Sequence, residues 1–104
     1  MAEYIGTPGK GAALKDKQKI SRPKRYKVLL LNDNYTTMEF VIEILIEVFR
    51  RSQDDAVRIM LSVHENGMGV AGVYIKSIAE TKVKMVHELA KEMEFPLRCM
   101  LEPE

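Results

Sequence analysis

The 104-residue sequence contains no tryptophan, a single cysteine (Cys99) and two histidines, His64 and His87. One cysteine excludes an intramolecular disulfide, and with it a small secreted framework held by bridges. The three soft ligands are scattered without zinc-ligand spacing, so neither a metal nor another cofactor is expected. Charge of one sign is also missing. Lys and Arg total 16 against 15 Asp and Glu, a net +1, which argues against a nucleic-acid binder that relies on bulk electrostatics. No apolar run is long enough to span a bilayer, and the start lacks a signal-peptide core, so a cytoplasmic chain without membrane contact is expected. Gly67, Gly69 and Gly72 lack the strand-then-helix setting and the lysine of a phosphate loop. Nothing pairs a nucleophile with a base, and the chain does not read as an enzyme.

What is present is one small domain with a basic leader. Residues 1–23 carry Gly6, Pro8, Gly9, Gly11 and Pro23 with no sustained apolar period. Up to Arg25 there are seven Lys or Arg against Glu3 and Asp16. This composition predicts a disordered N-terminal arm, with the folded domain at 24–104.

The domain is organised around residues 29–40. Tyr26 to Leu31 is aliphatic enough for a mostly buried strand. Asn32-Asp33-Asn34 supplies side chains that bond to nearby backbone and turn the chain. Thr36 followed by Glu39 predicts a capping box and a helix from about Thr37. Val41, Ile44, Leu45, Val48 and Phe49 then form one apolar stripe to about Arg51. Ser52 with Asp55 opens a second helix whose core face is Ala56, Val57, Met60, Leu61 and His64, and Gly67 ends it. Met68 to Ile75 closes as a strand. Ser77 and Glu80 predict a third capping box, before a stripe of Ala79, Val83, Val86, Ala90 and Met93 that stops ahead of Pro96. Leu97, Cys99 and Leu101 alternate as a last strand.

The order is β-α-α-β-α-β, an α+β domain with a three-stranded antiparallel sheet packed on three helices. By pattern alone, His64 reads as a core-edge histidine, His87 as solvated and the methionines as gap fillers. The functional alternative has Met38 and Met60 lining an adaptable pocket, where three amide or carboxylate side chains meet at the end of the first strand.

Four words carry a resemblance: YKVLLLNDNYTTMEFV at 26–41, MLSVH at 60–64, AETKV at 79–83 and FPL at 95–97. In this order they resemble the ClpS family of adaptors, which deliver N-degron substrates to Clp-type AAA+ unfoldases. The resemblance implies that Asn32, Asn34 and His64 hold a substrate α-amino group. It implies a hydrophobic pocket from Leu30, Asp33, Thr36, Met38, Val41, Met60, Val63 and Leu97, with Met38 crowding β-branched side chains. It also implies that Ser77, Glu80 and Lys82 dock on the N-terminal domain of the unfoldase, ClpA or ClpC, with the adaptor acting as a monomer. Two departures from the family pattern matter, while Thr37 in place of a frequent Pro is minor. Asn34 stands where Asp is common, and Ser77 where an acidic residue is common. A different class remains open from element order alone: a non-degradative interaction domain resembling the C-terminal domain of the ribosomal stalk protein.

Overall fold

The computed structural model describes residues 22–104. The arm expected over 1–23 therefore lies, apart from Arg22 and Pro23, outside the described residues. Six elements follow one another: β1 Arg25–Leu31, α1 Met38–Glu47, α2 Gln53–Asn66, β2 Met68–Ile75, α3 Lys76–Glu92 and β3 Arg98–Pro103. β1 is the central strand and pairs antiparallel with both β2 and β3. The order and architecture are those expected from the sequence.

The side-chain period of two divides β1 between the faces of the sheet. Val28 and Leu30, both fully buried, join Ile44, Leu45, Ala56 and Val86 in the core beneath the helices. Leu29 is buried outside that cluster, and its cross-strand partners Val70 and Met100 are 39% and 47% exposed on the open face. The register slips between Val28 and Leu29, leaving Ala71 as an extra residue on β2. Its carbonyl accepts a 2.8 Å bond from Arg51 Nε, so the bulge anchors the corner between α1 and α2.

Two of the three expected caps differ from what is observed. Thr37 replaces Thr36 as the cap of α1; its hydroxyl accepts from Phe40 N. Thr36 is unavailable because Asp33 takes both its N–H and its hydroxyl. Ser77 caps nothing. β2 runs into α3 without a loop, Ile75 occupies the cap position with no side-chain bond, and Ser77 already lies inside the helix. Ser52 does cap α2, accepting from Asp55 N.

α1 also stops earlier than expected, at Glu47. Arg50 turns the chain at φ 58°, while Lys82 Nζ donates to the freed Val48 carbonyl at 2.7 Å. Val48 and Phe49 stay buried, so the apolar stripe outlasts the helix. Leu61, His64 and Met93 were expected in the core but are exposed. On α2 the buried positions are Ala56, Met60 and Val63, and from His64 to Asn66 the helix is exposed. Met93 follows the final turn of α3 as its C-cap.

Candidate binding pocket

The turn after β1 is built by one side chain. Asp33 Oδ1 accepts from Tyr35 N at 2.8 Å and Thr36 N at 2.7 Å, and Oδ2 accepts from the Thr36 hydroxyl at 2.7 Å. Partial burial alone would raise the Asp33 carboxyl, but the bonds from Thr36 and Tyr35 outweigh it and hold the group below the usual carboxylate range. Asp33 is thus the lock of the turn as well as part of the pocket rim. Asn32 is fixed separately, its backbone N–H donating to Gly67 O at 2.9 Å. That bond ties the rim to the end of α2, one turn beyond His64. Gly67 permits it by taking the left-handed conformation at φ 89°.

The pocket encloses about 280 Å³. The turn contributes Asn32, Asn34 and Thr36; α1 contributes Met38 and Val41; α2 contributes Met60, Val63 and His64. Val41, Met60 and Val63 are buried, while Met38 is 43% exposed and stands at the opening. A cavity of ~150 Å³ already accepts benzene, so a large side chain and the backbone beside it both fit. Behind the wall, β2 approaches α2 so closely that a Cβ on Gly69 would lie 2.9 Å from Val63 Cγ2. The wall's position depends on that glycine.

Two residues implied by the resemblance do not line this pocket. Leu30 is fully buried in the core, and Leu97, 2% exposed, lines a wider neighbouring groove of about 760 Å³. The side chains of Asn32, Asn34 and His64 make no hydrogen bond to another described residue and lie at the rim. Their oxygens and the imidazole leave acceptor capacity for a donor. The arrangement suits an ammonium held above an apolar hole.

Ser77, Glu80 and Lys82 belong elsewhere. All three sit in the first half of α3, which begins where Ile75 pairs with Arg25. Asn32 follows the other end of the seven-residue β1, roughly 20 Å away at strand rise. Ser77 and Glu80 are exposed; Lys82 is half-buried and lies 5.6 Å from the Tyr74 ring centroid while it caps Val48.

His87 is not merely solvated. Its Nε2 accepts from Cys99 N at 3.2 Å, satisfying an outward N–H of edge strand β3. Burial pushes the Cys99 thiol up to about 12, which leaves it unreactive. Among the described residues no three His, Cys, Asp or Glu gather as metal ligands, and no helix is long and apolar enough to cross a membrane.

Residues 21–100 match the family model described as ATP-dependent Clp protease adaptor protein ClpS. The chain is 61% identical over 85 residues to the ClpS adapter of Lawsonia intracellularis, covering 82% of this chain and 78% of that relative. It is 59% identical over 88 residues to the ClpS adapter of Myxococcus xanthus, covering 85% and 82%. Among solved structures, Agrobacterium tumefaciens ClpS2 bound to L-phenylalaninamide is similar with a TM-score of 0.76 and 51% identity, over 80% of this chain and all of that one.

Proposed function

Since the chain belongs to the ClpS family of ATP-dependent Clp protease adaptors, we propose that its pocket captures proteins beginning with Leu, Phe, Tyr or Trp. The observation that carries this reading is the rim of Asn32, Asn34 and His64 above an apolar hole walled by Met38, Val41, Met60 and Val63. A free N-terminus presents an ammonium with three donors next to a side chain, and the two halves of the site answer the two halves of that group. L-Phenylalaninamide, bound by the Agrobacterium relative, has the same chemistry: a free α-amine, a phenyl ring and a capped carboxyl.

Magnitudes agree with capture and release. Burying a large apolar side chain contributes about 1.5–3 kcal/mol. Each hydrogen bond to the charged amine adds about 1.5–3 kcal/mol, and ordering the peptide subtracts several kcal/mol. The balance is an affinity of roughly micromolar or better. Cargo held that way is handed over without covalent chemistry.

Delivery is assigned to the first half of α3. Ser77, Glu80 and Lys82 there form the contact for the N-terminal domain of a Clp AAA+ unfoldase, ClpA or ClpC, with a monomeric adaptor divided into an arm at 1–23 and a domain at 24–104. The stalk-domain alternative rested on element order, and family membership removes its basis. The test is a titration of peptides that differ only in their first residue, each with an N-acetylated control. Tight binding of Leu and Phe, weak binding of Ala and Asp, and loss on acetylation are expected. Equal binding of the acetylated peptides would overturn the reading.

A further inference from the structure

A glycine on β2 stands directly behind the pocket wall. Gly69 is buried and pairs with Leu30, on the side of the sheet that faces the helices. A Cβ added there would lie 2.9 Å from Val63 Cγ2 and 3.2 Å from the Ile59 carbonyl oxygen. Ile59 and Val63 are one turn apart on α2, so the strand meets the helix along one short ridge. Apolar carbons pack at about 3.5–4.0 Å, so an added methyl would need roughly 0.6 Å of extra room.

That room is not free on the strand side. The Ser62 hydroxyl donates to Met68 O at 3.3 Å, and Gly67 N–H donates to Val63 O at 3.0 Å, so the last turns of α2 are stitched to the start of β2. Val63 is β-branched and holds nearly one χ1 rotamer within a helix, so its methyl cannot swing aside without strain. Displacement is left one outlet, toward the pocket that Val63 lines. Gly69 itself is not among the lining residues.

We propose that Gly69 is a positioning residue that sets the depth of the pocket. By carrying no side chain it lets Val63 sit back, and this depth is what admits Trp and Phe beside Leu. The inference rests on the reading of the pocket as an N-terminal-residue site and names a residue that limits which side chains it takes. A second glycine on β2 provides the comparison. Gly72 pairs with Val28, nearer the other end of the strand. The nearest atoms to a Cβ there would all belong to Tyr74, with the ring Cζ at 2.7 Å, and Tyr74 lines no part of the pocket.

The test measures affinities of the full chain for peptides that differ only in a first residue of Trp, Phe or Leu, with thermal unfolding alongside. The chains are the parent, Gly69→Ala, Gly72→Ala, Val63→Ala and the double variant Gly69→Ala with Val63→Ala. In Gly69→Ala the Trp-to-Leu affinity ratio should fall at least about three-fold, short of the roughly 10- to 200-fold that a whole methylene commands in an apolar pocket. Phe should fall less. Gly72→Ala should lower the unfolding midpoint and leave the ratio unchanged. In the Val63→Ala background, where Cγ2 is gone, Gly69→Ala should move the ratio by less than about two-fold, the non-additivity expected of residues in contact.

An unchanged ratio in Gly69→Ala overturns the proposal, as does an equal fall in Gly72→Ala or an undiminished fall in the Val63→Ala background. If Gly69→Ala alone does not fold, the double variant decides: recovery of the fold with the Val63→Ala ratio supports the contact, and continued unfolding shows the glycine serving the sheet and overturns it. Failure of the parent chain to bind the Leu peptide, or its indifference to acetylation, would instead bring down the pocket reading.

Discussion

Two strand-to-helix passages lie at opposite ends of the sheet. From β1 to α1 the chain takes six residues, 32–37, and fills them with an Asp33-locked turn, two amide side chains that bond to no other described residue and a Thr37 cap. From β2 to α3 it takes none, and no side chain caps the helix. The long passage makes a concave polar rim because its backbone must be satisfied by side chains, which also leaves others pointing outward. The abrupt passage makes an exposed helix surface with little to close around a ligand. A small molecule or chain end suits the first, and a flat protein partner suits the second.

This contrast breaks first at the rim. His64→Ala should cost the pocket at least ten-fold in affinity for an N-terminal Leu peptide, since each bond to a charged amine contributes about 1.5–3 kcal/mol. The side chain is exposed, so the thermal midpoint should hardly move. An unaltered titration would remove His64 from the site.

Asp33→Ala removes acceptors for three donors at once. A loss of about 1–2 kcal/mol in denaturant stability is expected, together with weaker peptide binding as Asn34 and Thr36 lose their setting. The pH dependence has a definite sign. The folded carboxyl sits below its ordinary value, so its contribution is complete above that value and is lost as pH falls through the folded one. In the wild type, peptide affinity should drop below the usual aspartate range in step with this loss, whereas Asp33→Ala should lack that limb.

Met38→Ala opens the mouth of the pocket. Peptides beginning with Val or Ile should gain about 1 kcal/mol relative to Leu. A constant Val-to-Leu ratio would show that Met38 does not gate the branched carbon.

The smallest effects sharpen the comparison of the two helix starts. Thr37→Ala should cost about 1 kcal/mol, the usual value of a lost cap, while Ser77→Ala should stay within ~0.5 kcal/mol. Chemical denaturation of both variants reads the difference directly, and equal losses would contradict the cap assignment.

Much of the molecule was legible in local pattern. The element order, the Ser52 cap, the Gly67 stop and the Asn32-Asp33-Asn34 turn all depend on residues within four positions of one another. Thr36 misled because two neighbouring threonines compete and Asp33 decides between them. Ser77 misled because its motif matched while the strand runs on to Ile75, which takes the cap position without a capping oxygen and leaves Ser77 inside the helix. The long-range ties had no local signal. Arg51 reaches the Ala71 carbonyl twenty residues on, and Lys82 reaches Val48 across thirty-four. His87 meets Cys99 only because α3 folds back beside β3. At the site, the family words brought the rim and walls together, whereas Leu97, the residue before β3, lines the adjoining groove.

One consequence of the central position of β1 is mechanical. Residues 22–24 enter the domain at Arg25, whose guanidinium is clamped by both oxygens of Glu104 at 2.7 Å. Tension applied from that end runs along the strand axis, perpendicular to the ladder bonds on both sides, and loads them together in shear. A peptide held in the pocket in the proposed way would be resisted by a few hydrogen bonds and one side chain, which yield singly. A single-molecule pull should read peptide loss at lower force than unfolding. Under equal load the proposed cargo should leave while the domain stays folded.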